Sequence, residues 1–272
     1  MSAPEKPLVY LLLGTPGSGR RAVLADLITD GLAETDRAVT ALAATESPDP
    51  WDEKLGTRIR WEWKEGTLVV DLPPPTAEGS PPPFTHLFIV ADGRHNPVDV
   101  MEAFKVWLTG REVELGRILT LVDCQLAHRH DAAMRIWYDG CIHFSDVVLL
   151  SNREGVPNKW ISDFQTRYKD KFYPALFEFV KQHKVKNPVL VLEPQARRMT
   201  QFFDPELDLE LARNLAPDAV IEFSGDDEED EEGMPSPDAG EDAPVDPYLE
   251  RGRNGRRVIE LPDIRPFLPP PA

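Results

Sequence analysis

The sequence predicts an α/β fold, a three-layer sandwich around a mostly parallel sheet, from three observations. Short runs of consecutive apolar residues recur along the chain, the pattern of strands covered on both faces. Segments with apolar residues at helical spacing alternate with those runs. An acidic C-terminal stretch stands outside the pattern altogether.

Residues 8–13 read as a buried strand. Residues 19–32 read as the helix behind it, with Val23, Leu24, Leu27 and Ile28 on one face. Ala38 to Ala43 is a second short strand. Residues 58–71, RIRWEWKEGTLVVD, put Ile59, Trp61 and Trp63 on one side and charges on the other. Lys64-Glu65-Gly66 then turns the chain and Thr67 to Val70 returns, a β-hairpin signal. Its tryptophans suit the cover of a sheet edge. After a proline-rich loop, 73–83, come a strand at Leu87 to Val90, a helix at Val98 to Leu108, and a strand at Ile118 to Val122. A helix over 129–139 and a strand at Val147 to Leu150 follow. Lys159 to Gln182 reads as mainly helical, interrupted near Pro174, and Val189 to Leu192 as a last short strand.

The expected boundary lies at 222, giving a folded domain over 1–222 and an acidic, proline-rich, largely disordered tail over 223–272. Residues 226–232 are seven consecutive acids, and such a segment cannot bury enough apolar surface to offset its chain entropy. The end, 257-RVIELPDIRPFLPPPA-272, regains apolar residues and reads as a docking strand or a peptide motif.

The chain carries 47 acids against 30 Lys and Arg, a net charge of −17. Residues 225–272 alone hold 14 acids and five arginines. This balance argues against nucleic acid as a partner, since phosphate backbones need a basic face. The acidic run is read as a solvating tail, or as a docking or autoinhibitory segment for a basic site such as Arg20-Arg21, with Arg256-Arg257 as another partner. Two cysteines, Cys124 and Cys141, make no disulfide framework and suit a reducing, cytoplasmic setting. The N-terminal apolar run is too short for a signal peptide. Asp26 and Asp30 interrupt what a twin-arginine signal would need, and no segment is apolar enough to span a membrane.

The stretch 11-LLLGTPGSGRRAVLADLI-28 comes close to the phosphate-binding pattern G-x-x-x-x-G-K-[ST]. Gly14 and Gly19 have its spacing, with Thr15, Pro16, Gly17 and Ser18 between them. Arg20 stands in place of the lysine and Arg21 in place of the Mg²⁺-binding hydroxyl. Backbone N–H groups at the helix start still offer an anion nest. Arg20 is expected to hold an anion there, and Arg21 to face solvent or pair with an acid such as Asp92.

Three further segments follow in order: 85-THLFIVADGRHNP-97, 119-LTLVDC-124 and 141-CIHFSDVVLLSNREG-155. Over about residues 8–195 the chain resembles the CobW-type GTPases, relatives of the HypB and UreG metal-centre maturation proteins. The resemblance implies a P-loop NTPase-type domain with GTP or GDP as ligand. It implies nucleotide contacts from Gly14 to Arg21, Asp92 and Gly93, and from Asn152 and Arg153.

The departures fall on the working parts. Val90 stands at the family's strand-end Glu, and Asp92 in the place of a Ser or Thr, while Gly93 and Pro97 match. Asn152 is retained in the guanine motif, but Arg153 replaces Lys and Gly155 replaces the base-reading Asp. Cys141 replaces a glutamine, while Ser145 and Asp146 fit the family's Ala-Asp pair. The family's C-x-C-C metal motif is absent, since residues 32–84 contain no cysteine.

Loss of lysine, hydroxyl, Glu and Asp together argues against efficient Mg²⁺-dependent turnover, because phosphoryl transfer is mostly positioning and electrostatics. The expectation is a degenerate, hydrolysis-deficient member acting through weak nucleotide binding or through an unidentified protein partner, without Mg²⁺. The alternatives are an active GTPase or metallochaperone of metal-cofactor maturation, and a ligand-free interaction scaffold. A zinc site from Cys124, Cys141 and His143, with His128 and His130 nearby, is weighed on thiolate and imidazole chemistry. Those ligands lack recognised zinc spacing, and ordinary buried cysteines are the preferred reading.

Overall fold

The computed structural model describes residues 6–74, 82–204 and 246–270. A nine-stranded sheet runs through the middle. In chain order its strands are β1 (Leu8–Gly14), β2 (Ala38–Ala43), β3 (Thr57–Lys64), β4 (Thr67–Val70), β5 (His86–Val90), β6 (Glu114–Asp123), β7 (Val147–Ser151), β8 (Leu176–Lys181) and β9 (Lys184–Val185). In space the order is β4-β3-β2-β5-β1-β6-β7-β8-β9. Seven strands, β3 through β8 in that spatial order, are parallel. The edge strands β4 and β9 fold back antiparallel on their neighbours.

Strand β1 is central. Leu8 to Leu12 pair with His86 to Val90 on one side, and Leu11 to Gly14 with Ile118 to Leu121 on the other. Val9, Leu11 and Leu13 face one apolar cluster; Tyr10 and Leu12 face a second. That is the alternation of a strand buried on both faces. The first cluster is closed by α2 (Pro97–Leu108), α4 (Asp131–His143) and α5 (Asn158–Lys169). The second is closed by α1 (Arg20–Gly31) and the short α6 (Pro188–Leu192). The fold is therefore the expected three-layer α/β sandwich, and the hairpin lies where alternation puts it. Trp61 goes further in than an edge cover: it is buried, and its Nε1–H donates to the Val90 carbonyl at 2.9 Å.

Four expectations need correction. The predicted helix over 129–139 is two helices. α3 (Cys124–Arg129) starts early because the Asp123 carboxylate accepts the Leu126 N–H at 2.9 Å, and α4 runs on to His143. Lys159 to Gln182 is not mainly helical, since α5 ends at Lys169. Phe172 adopts a positive φ of 57°, and beyond Pro174 the chain pairs with β7 as β8. Val189 to Leu192 is helical, with Pro188 in the first turn and the Asn187 side chain capping the Leu190 N–H. A short apolar run does not distinguish the two states by periodicity. Finally, residues 246–270 pack on the body, so the tail from 223 onward is not uniformly unpacked. The acidic run 226–232, with the rest of 205–245, lies outside the described residues.

Asp146 locks strand order between layers. Fully buried, it accepts the Ile118 N–H at 2.8 Å and the Arg197 N–H at 2.6 Å, and pairs with Arg198 at 3.3 Å. Asp146→Ala leaves the Ile118 and Arg197 N–H groups unmatched and takes one of two acids from Arg198, which keeps Asp204. It is expected to lower the unfolding free energy by about 3 kcal/mol in urea titration, with a smaller loss for Asp146→Asn.

Candidate functional site

Three loops meet beyond the C-terminal ends of adjacent parallel strands, the usual place for ligands in open α/β sheets. The first, Thr15–Gly19, joins β1 to α1. Gly19 caps the helix in the left-handed region (φ 88°) with no side-chain cap, so the first-turn N–H groups are left to other partners. The third loop follows β5 and presses against the first. A Cβ on Gly93 would lie 2.1 Å from the Gly14 carbonyl oxygen, so only glycine permits the contact.

The second loop, after β2, decides the electrostatics. Arg20 and Arg21 occupy the first turn of α1, where positive charge opposes the helix dipole, and both are buried. Glu46 answers them. Arg20 Nη2 donates to Glu46 Oε1 at 2.9 Å, and Arg21 donates to Oε2 through Nε at 3.1 Å and Nη2 at 2.5 Å. Arg21 Nη1 donates to Asp52 Oδ1 at 2.9 Å and to the Ser47 carbonyl at 2.8 Å. Asp52 is placed by a 3-10 turn, Pro50–Lys54, in which Asp49 and Asp52 form a capping box. Arg21 thus pairs with acids, as expected, but the acids are Glu46 and Asp52, not Asp92. Arg20 keeps one unmet donor: its Nη1 is buried with no partner, as is the Ser18 hydroxyl.

Asp92 serves its own loop. One carboxylate oxygen accepts the N–H groups of Arg94 and His95 at 2.9 and 3.2 Å; the other meets His95 Nδ1 at 2.7 Å. That hydrogen bond raises the His95 pKa above its ordinary value against the opposing effect of burial. Burial pushes the Asp92 carboxyl up, but His95 and the two N–H groups outweigh it and hold the acid below its ordinary value. Trp63 stacks on the His95 ring at 4.7 Å, so the hairpin braces this loop.

A cavity of about 660 Å³ lies between these loops. Of the residues singled out in the sequence, Pro16, Gly17, Gly19, Arg20, Arg21 and Asp92 line it; Gly14, Thr15, Ser18, Gly93, Asn152 and Arg153 do not. Asn152 instead ties the glycine loop to β6, donating to the Gly17 carbonyl at 3.1 Å and to Asp123 at 2.8 Å. Arg153 lies over the Phe179 ring at 4.3 Å. Sequence reasoning missed Glu46, Asp49 and Trp51 after β2, Arg94 and His95 after Gly93, and His183 in the β8–β9 turn. It also missed Arg265, Pro269 and Pro270. The signal for His95 was present, since an Asp three residues before a His favours a local carboxylate–imidazole contact. The others arrive from distant parts of the chain with no motif.

The metal candidates change character. Cys141 and His143 lie on the last turn of α4, not on a strand, and two-residue spacing on a helix points them apart. Burial pushes the Cys124 thiol up to about 12 and Cys141 well above its ordinary value. His143 Nε2 meets Asp246 at 2.7 Å. Among the described residues no three His, Cys, Asp or Glu side chains gather as a metal-ligating group, and no helix is long and apolar enough to cross a membrane.

No protein-family model matches the chain, and no curated protein matches it. Among solved structures it is similar to the Zn(II)-bound YjiA GTPase from E. coli, at 13% identity and a TM-score of 0.40, covering 71% of this chain and 67% of that one. It is similar to the cell division protein FtsY from Thermotoga maritima at 16% identity and a TM-score of 0.39, covering 72% and 67%. For the signal recognition particle receptor FtsY from Elizabethkingia anophelis in complex with GDP the figures are 15%, 0.37, 70% and 64%.

Removing Glu46 leaves the buried Arg20 guanidinium without its acid and takes one of two acids from Arg21. Glu46→Ala is expected to cost about 3 kcal/mol in denaturant unfolding, and Glu46→Gln less. His95 offers a pH test. Its raised pKa means that the stabilisation from its pair is full below the unfolded value of about 6.5 and lost as pH rises through the folded value. The lowered Asp92 contributes above about 3.9, and that part is lost as pH falls through its folded value. An NMR titration of the His95 ring is expected to show a midpoint above the free value, and Asp92→Asn to bring it down.

Proposed function

We propose that this chain is a degenerate P-loop-type protein, related in descent to the CobW-like GTPases. On this reading its glycine loop takes a phosphate-bearing ligand weakly, without Mg²⁺ and without turnover. One observation carries the reading: both arginines that replace the loop's lysine and hydroxyl are already bonded to Glu46, and Arg21 to Asp52 as well. Mg²⁺ does not fit here. The position of its hydroxyl ligand is a guanidinium, and the nearby carboxylates are spent on that cation. Guanine selectivity does not fit either, because Gly155 has no carboxylate and Asn152 is turned onto the loop backbone.

What remains for an anion is the uncapped start of α1 and Arg20, which lines the cavity and whose buried Nη1 has no partner. The residue-level chemistry supports retention of phosphate, not its transfer. No residue among those lining the cavity stands in for the lost strand-end Glu, since Asp92 is held by His95 and its own backbone.

The ion pairs also favour a second reading, a scaffold that binds no ligand, because an internally neutralised loop attracts an anion less. Calorimetry with GTP, GDP and ATP, with and without EDTA, separates these. Weak heats of similar size for all three, unchanged by EDTA, support the proposal; no heat selects the scaffold. Mg²⁺-dependent phosphate release from GTP that Arg20→Ala abolishes would show that the loop is an active GTPase site and overturn both.

A further inference from the structure

The C-terminal segment does not stop at the body's surface; it ends at the cavity. Its path is held by contacts on α2 and α4 and on the loop residues Arg94, His130 and Thr200. Asp246 accepts from Thr200 and meets His143, whose ring lies 4.8 Å from Tyr248. Arg251 and Arg257 pair with Glu102 on α2, and Arg257 with Asp99. Leu261 fills the notch over Gly140 of α4, where an added Cβ would lie 2.6 Å from its Cδ1. Ile264 is buried, and Phe267 stacks on His130 at 4.4 Å. The last tie is Arg94 Nη2, donating to the Pro269 carbonyl at 2.6 Å.

These anchors bring Arg265, Pro269 and Pro270 into the lining of the cavity. The lining then holds four arginines, Arg20, Arg21, Arg94 and Arg265, against three acids, Glu46, Asp49 and Asp92, in a chain of net charge −17. Arg265 is close enough to His95 to oppose its protonation. Its guanidinium is exposed and parked on Asp263, with Nε donating to Oδ1 at 2.8 Å and Nη2 to Oδ2 at 2.7 Å. An exposed pair of this kind is worth little, so a better anion can replace Asp263 at small cost. Arg20, buried with Nη1 unmatched, also lines the cavity.

We propose that Arg265 is a ligand-binding residue, that the C-terminal segment completes the anion site, and that docking of the segment and occupation of the cavity by a multiply charged phosphate compound favour each other. This rests on the reading that the cavity takes phosphate. Two lining cations from separate parts of the chain, Arg20 and Arg265, suit a ligand with more than one charged group better than a single phosphate. Linkage makes the coupling reciprocal: whatever holds the segment down tightens the ligand, and the ligand tightens the segment.

The test uses the full chain with inorganic pyrophosphate as the probe, read by calorimetry, and by hydrogen exchange at 264–268. Arg265→Gln is expected to weaken pyrophosphate about tenfold, the loss of one charge-assisted contact. Phe267→Ala touches no part of the cavity and is expected to weaken it similarly, acting only through the segment's position. Pyrophosphate should slow exchange at 264–268 in the unmodified chain and not in Arg265→Gln. Arg265 is exposed and Phe267 half-buried, and an unchanged melting temperature confirms the fold of each variant. Binding unaffected by Arg265→Gln would overturn this inference and leave the phosphate reading intact. Tighter binding in Phe267→Ala would overturn it as well, since the segment would then be a competitor. No binding to any form would remove the phosphate reading and this inference together.

Discussion

Five consecutive residues of β1, Val9 to Leu13, are almost wholly withdrawn from water, and the layers follow from that burial. A strand with apolar side chains on both faces needs cover on both. Helices α2, α4 and α5 supply one side, α1 and α6 the other. The parallel neighbours β5 and β6 keep every backbone group of β1 paired while leaving their C-terminal ends together. The loops that leave those ends therefore have no choice but to meet.

Where they meet, charge must balance. Two arginines at a helix start, both buried, are a poor arrangement alone. Glu46 and Asp52 make it tolerable by pairing with both guanidinium groups.

The C-terminal segment adds a long-range constraint of another kind. Its contacts on the body combine the largely buried Asp246–His143 pair and the ion pairs of Arg251 and Arg257 with one leucine over a glycine notch and one stacked ring. Together they bring residues more than 160 positions from Arg94 and His95 to the same cavity.

Much was legible in the sequence because it is local. The apolar runs at 8–13, 87–90 and 147–150, the alternation around Trp61 and the glycine spacing at Gly14 and Gly19 each state a periodicity or a turn that the backbone obeys nearby. Where the signal was short and apolar, as at Val189 to Leu192, the same residues satisfy either period, and Asn187 and Pro188 tipped the outcome to helix. What the sequence determined by itself was the three-layer fold and the pair Arg20-Arg21 that follows the glycine loop. Which acids would meet those arginines was decided by tertiary structure alone. Glu46 and Asp52 lie 25 and 31 residues beyond Arg21, and Arg265 lies beyond a further long stretch of chain. Charge pairing acts through space, and no pattern along the chain records which opposite charges the sheet will bring within reach.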